Sequence, residues 1–273
     1  MIDRTTVKLA FISWFLVSIL SANAAAQDQE RSGWQFGITP RLWVSALTIP
    51  DEDNVSSGAV FIPLYGGTVS VSPGFAPNVT LLVTGLRGNG SGDIVFNPGG
   101  FVPGGCARCA GTQNVARTDF EALLRYSFAN GINVSAGGRY VKFVSDVSAQ
   151  TVYLGPDTGA RFSNHAENTI LLGEIAVGFV HEVSQDGRHR VFGNLIGAFG
   201  SIKNKFQDSL GTNQSSSSPT VGMDVNVGYE YWFTPYTNIG LRYRSFVLAA
   251  NNDYDLVKFF SIHGPEFFMG VMF

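Results

Sequence analysis

The sequence predicts an all-β fold: one antiparallel up-and-down transmembrane β-barrel of ten strands, with eight or twelve as the alternatives. Three observations predict it. Apolar residues recur at every second position over long segments, the period of a strand with one apolar face. The connections between those segments alternate between long and short, as they do in membrane barrels. Nothing approaches the roughly 18 consecutive apolar residues of a helical span, although 45% of the chain is hydrophobic, 13% is aromatic and 32 residues are glycine.

The elements follow in order. Arg4 and Lys8 precede an apolar run from Leu9 to Leu20, and small residues ending Ala24-Ala25-Ala26 lead to Gln27. This is the pattern of a cleaved secretory signal over residues 1–26. Its apolar part is shorter than the roughly 20 residues of a membrane helix. The barrel then occupies 27–273. Period-2 segments fall at about 33–48, 60–72, 76–90, 116–128, 132–148, 166–182, 189–205, 219–234, 236–250 and 260–273. The second is the weakest, since Pro63 and the Gly66-Gly67 pair weaken a ladder. The eighth is the clearest: Val221, Met223, Val225, Val227, Tyr229, Tyr231 and Phe233 alternate with a mostly polar set that includes Asp224, Asn226 and Glu230. Short connections are expected at 73–75, at 129–131 with a type I′ turn over Asn130-Gly131, at 183–188 and at Pro235. Long ones are expected at 49–59, 91–115, 149–165, 206–218 and 251–259, all rich in Gly, Ser, Asn, Asp or Pro.

A soluble barrel alternates too, and three features decide for the membrane. Trp34, Phe36, Tyr126, Phe128, Phe179, Tyr229, Tyr231, Phe233 and Phe273 all land at the short-turn end, as an interfacial aromatic girdle does. After residue 26 there are only four lysines, Lys142, Lys203, Lys205 and Lys258, and none lies in mid-strand. The chain stops on an alternating strand, with Phe267, Met269, Val271 and the terminal Phe273 on one face.

That ending, with the signal segment and the strand plan, resembles the small bacterial outer-membrane barrels, the broad OmpA-like and OmpW-like porin group. The resemblance covers the whole chain after the signal, by architecture and without a diagnostic motif. It implies a Gram-negative cell envelope, insertion by the outer-membrane assembly machinery, with Phe267, Met269, Val271 and Phe273 as the assembly signal, and contact with outer-membrane lipid and lipopolysaccharide. The lysines belong at the outer rim: Lys142 stands ten residues above Ile132, roughly 23 Å of height at a tilt near 45°. They meet either lipopolysaccharide phosphates or solvent.

Little in the chain suggests chemistry. The net charge of −3 gives no basic surplus for nucleic acid. Cys106 and Cys109, in the longest loop, fit a loop-tightening disulfide in an oxidising compartment better than a redox pair or half a zinc site. The histidines are His165, His181, His189 and His263. No Asp-x-His unit of the outer-membrane protease type is present, and Ser163-Asn164-His165 reverses the order used by lipid-cleaving barrels. No enzyme, metal or cofactor is expected.

The inward face is more informative. It carries Arg41, Asp119, Glu121, Arg125, Arg139, Glu174, Arg190, Asp224, Glu230, Arg242 and Arg244. Confined charges are costly unless paired or hydrated, so this set either stiffens a filled barrel or lines a narrow water path for small solutes. Glu230 and Arg242, on adjacent strands near the turn end, are expected to pair as a constriction. The function expected is a narrow porin-like channel or a structural barrel; the alternative is a surface-binding, adhesion-type barrel acting through its long loops.

Overall fold

Strands with one apolar face must bury their edges as well, and this chain does so by pairing until the sheet closes. The computed structural model describes residues 33–48, 55–57, 60–96, 109–151, 161–209, 211, 213–250 and 259–273. Its strands are β1 (Gln35–Thr48), β2 (Val55–Ser57), β3 (Val60–Ser72), β4 (Val79–Phe96), β5 (Cys109–Ser127), β6 (Ile132–Thr151), β7 (Arg161–Glu182), β8 (His189–Asp208), β9 (Asn213–Thr234), β10 (Thr237–Ala250) and β11 (Phe259–Met272). The three-residue β2 pairs only with the far end of β4. The other ten form a closed antiparallel barrel, sealed where β1 pairs with β11. The signal segment 1–26, Cys106 and Lys258 lie outside the described residues.

All ten segments read from the sequence are strands. The difference lies at the loop end, where β4 to β9 run on into stretches that compositionally resemble loops, such as 91–96, 109–115 and 213–218. Their ladders continue residue by residue, for example from Gly88↔Arg117 to Phe96↔Cys109, so pairing overrides the weak β-propensity of Gly, Ser and Asn. A strand of 22 residues such as β7 is about 50 Å tall at a 45° tilt, against an apolar band of about 25 Å. The six strands β4 to β9 therefore carry a raised collar.

The turn end is short and tight. Between β5 and β6 the loop closes over three residues, with Phe128 N donating to Ile132 O (2.8 Å), Gly131 N donating to Phe128 O (3.1 Å) and Gly131 at φ +83°. That is a three-residue hairpin with a left-handed glycine, not the two-residue type I′ turn expected from Asn130-Gly131. Asn130 contributes differently, its Oδ1 accepting from Ile132 N. In the β7–β8 turn the Ser184 hydroxyl and the Arg188 amide donate to Asp186 and hold its carboxyl below the usual range. This contribution is present at neutral pH and is lost as pH falls through the Asp186 range.

Outward side chains form the lipid face. Leu81, Phe120, Leu171, Ile175, Phe199, Val221 and Met223 are all exposed, the inverse of a soluble barrel. At the turn end Trp34 packs on Phe36 and Phe75, Tyr126 on Phe128, and Tyr231 on Phe233, so the expected girdle is present. The apolar band ends at the other side on one register row, Arg87↔Thr118↔Lys142↔Thr169↔Lys203↔Ser217, running from β4 to β9. Above it the outward residues turn polar, with Asn114, Asp146, His165, Gln207 and Ser215.

Candidate functional site

The interior is the part of this barrel where function must be sought, and it is layered. Toward the loop end every barrel strand but β9 sends apolar side chains inward. Trp43, Ile62, Leu64, Ile170, Phe246, Leu248 and Ile262 have at most 0% exposure and, with Leu86, Phe143 and Phe260, form one cluster across the lumen. The Phe260 ring meets Phe143 (5.5 Å) and Phe246 (6.2 Å) edge-on, from the β6 and β10 sides of the cluster.

Beneath this layer lies the ion network. Asp119 accepts from Arg139 Nε (2.8 Å) and Nη2 (2.6 Å), and also from Arg117 Nη2. Arg139 reaches across the lumen from β6 to β9, where its Nη1 donates to Asp224 Oδ2 at 2.8 Å. Asp224 also accepts from Arg244 Nε, at 2.8 and 3.1 Å to its two oxygens. Glu174 stands 3.7 Å from Arg139, and Glu121 stands 3.8 Å from Arg244. A second group sits beside it: both oxygens of Glu266 accept from Arg242 Nη2 at 2.8 Å, and Arg41 lies 3.4 Å away.

The two layers hold each other. The guanidinium carbons of Arg117 and Arg244 lie 4.8 and 5.1 Å from the Trp43 ring centroid, and that of Arg139 lies 4.3 Å from the Phe246 ring. Aromatic faces attract desolvated cations, and this is where Arg117 Nε and Nη1, which are buried without a hydrogen-bond acceptor, find their partner. Gly66 and Gly264 stand directly across from Arg41 and Arg244, and a Cβ on either would fall 2.0 Å from the backbone oxygen of Gly85 or Val44 on the next strand, an approach that only glycine permits.

Of the inward set expected from sequence, Arg41, Asp119, Glu121, Arg139, Glu174, Asp224, Arg242 and Arg244 are brought together. Arg125 faces the same interior but makes no ion pair among the described residues. The expected Glu230–Arg242 pair is not formed. The β9–β10 register sets Arg242 across from Gly228 and, on its other side, from Glu266, which takes it. Glu230 lies a layer nearer the turn end and accepts from Trp232 Nε1 (2.8 Å) and Asn238 Nδ2 (3.0 Å). Arg190 stands over the Trp232 ring beside it and pairs with Glu182. The ion-paired layer is therefore in mid-barrel, not at the turn end. Two members were missed by sequence reasoning, Arg117 and Glu266. Both sit on the inward parity of their strands, so the period-2 rule could have found them. This layer holds six guanidiniums, Arg41, Arg117, Arg125, Arg139, Arg242 and Arg244, against five carboxylates, Asp119, Glu121, Glu174, Asp224 and Glu266.

On the outer face Lys142 and Lys205 reach one carboxylate, Glu167, at 3.0 and 3.8 Å, and Lys203 lies one row below Lys205. Arg87 joins the row by register and was not singled out from sequence. His165 and Asp146 face each other across β6–β7 at 2.6 Å as an exposed pair on the collar, and His263 meets the Tyr243 hydroxyl at 2.8 Å. Among the described residues no group of three or more His, Cys, Asp or Glu is placed to hold a metal. Phe267, Met269 and Phe273 hold the outward positions of the closing strand, and the backbone of Phe273 pairs with Phe36 at the seam.

An apolar belt outside, an aromatic girdle and a charged interior define an outer-membrane β-barrel. The translocator domain of the autotransporter NalP from Neisseria meningitidis is similar in structure, with a TM-score of 0.51, 12% identity and 97% of each chain covered. The outer-membrane protease OmpT from Escherichia coli aligns at a TM-score of 0.48 and 10% identity, over 88% of this chain and 96% of its own. These likenesses concern the fold. No family model matches the chain, and no curated protein does.

Proposed function

We propose that this protein is a closed, non-catalytic outer-membrane barrel, with a structural role in the wall and no open channel through it. The observation that carries this is the apolar layer: side chains from nine of the ten barrel strands fill the lumen just where the ion network ends. Water and ions would have to cross both. The test is solute entry into liposomes bearing the purified protein. No swelling above protein-free liposomes is expected with arabinose or glycine as solute, and swelling comparable to a porin would overturn the closed barrel.

A second reading, surface binding, draws on the collar. Among the described residues the wall rises above the apolar band on β4 to β9, and its outward face there is polar. Such a one-sided rim suits attachment to an outside partner.

At the base of the collar, Arg87, Lys142 and Lys203 occupy alternate strands of one row, so neighbouring cations are about 10 Å apart. These cations sit toward the loop-end edge of the apolar band, on the side where lipopolysaccharide would offer phosphates. Neutralising all three (R87Q, K142Q, K203Q) is expected to remove most of the rise in unfolding temperature that lipopolysaccharide gives the unmodified protein in micelles. An unchanged rise would leave these residues as solvated rim charges.

A further inference from the structure

A closed wall does not account for the space below the ion network. A small, partly open cavity lies there, and its walls carry four guanidiniums, Arg41, Arg125, Arg242 and Arg244, but a single carboxylate, Glu121. Three of the four are engaged, Arg41 and Arg242 by Glu266 and Arg244 by Asp224. Arg125 is not. No carboxylate among the described residues lies within ion-pair distance of it, and its Nε is buried without an acceptor, as are those of Arg41 and Arg242. Glu121, on the same inward face of β5, acts on Arg125 only through space, so its guanidinium fork is left without a direct acceptor, and such a fork is built to bind oxyanions.

The rest of the wall suits an oxyanion too. Thr68 and Thr84 meet hydroxyl to hydroxyl at 2.7 Å, and each retains hydrogen-bonding capacity, as do Ser135 and the Asn194–Asn226 amide pair. The cavity has room for about three waters, the size of one tetrahedral oxyanion. The loop side is sealed by the apolar layer, whereas Ser70, Ser72 and Thr80 toward the turn end keep partial exposure.

We propose that this cavity is an anion site, entered from the turn end, that takes a phosphate-sized oxyanion with Arg125 as its principal ligand and Arg41 and Arg242 beside it. The site goes beyond the closed-barrel function and does not depend on it. The probe is inorganic phosphate, titrated into the full chain folded in micelles and followed by calorimetry. Saturable binding is expected in the unmodified protein and in Arg188→Gln, which alters an exposed turn. Arg125→Gln should weaken it at least about tenfold, the loss of one charge-assisted bidentate contact. A second measurement does not need the variant to fold: phosphate should shift the backbone amide resonances of Thr84, Ser135 and Asn226 in the unmodified protein and leave Asn89 and Ser91 unmoved. Absence of saturable binding, equal binding by Arg125→Gln, or shifts confined to the outer end would each overturn the site.

Discussion

Replacing Asp224 with Ala is expected to destabilise the barrel by about 3–5 kcal/mol, the cost of removing one partner from a buried ion pair. Asp224 is fully buried and joins two guanidiniums that come from opposite directions, Arg139 on β6 and Arg244 on β10. Without it both cations keep their desolvation and lose their nearest anion. Arg139 still has Asp119, but Arg244 is left with Glu121 at 3.8 Å. Urea unfolding in micelles, read by loss of β-signal, measures the effect. Asp224→Asn keeps the shape and one acceptor, so its loss should be smaller. If both variants unfold within about 0.5 kcal/mol of the unmodified protein, as neutral surface changes do, the network does not hold the barrel.

Removing Trp43 and Phe246 together is expected to open the lumen. Each is fully buried in the apolar layer, and truncation of a buried aromatic costs about 3–5 kcal/mol. The two losses should not add, because both rings rest on the same ion network, Trp43 against Arg117 and Arg244 and Phe246 against Arg139. The void they leave borders charged groups, so it should fill with water and not stay dry. Ion conductance should then appear in W43A/F246A where the unmodified protein has none. Phe199→Ala, which removes a comparable ring from the lipid face, should stay silent. A silent double variant that remains folded would mean that the path is blocked elsewhere.

The wall was legible in the sequence because alternation is a local signal and the turns punctuate it: ten segments, the girdle and the inward parity all follow from residues close together in the chain. The collar was not, because its Gly, Ser and Asn content reads as loop and only continued pairing, such as Val95↔Ala110, makes it strand. The ion network was legible as a set but not as partners. Arg139 and Asp224 lie 85 residues apart on strands that are not neighbours, so their meeting depends on closure and diameter. The Glu230–Arg242 expectation failed because the β9–β10 register sets Glu230 across from Gly240. The apolar plug left a signal that went unused. Around Val60 to Tyr65, around Phe246 to Ala250 and at Phe259-Phe260 apolar residues run consecutively instead of alternating, which marks strands apolar on both faces and hence a filled lumen.

The closed lumen is the central claim, and single-channel recording of the unmodified protein in planar bilayers tests it most directly. With insertion verified by protease accessibility of the loops, the structure predicts no stable current steps in 1 M KCl. Long-lived, ohmic open levels of the size that porins give would contradict it.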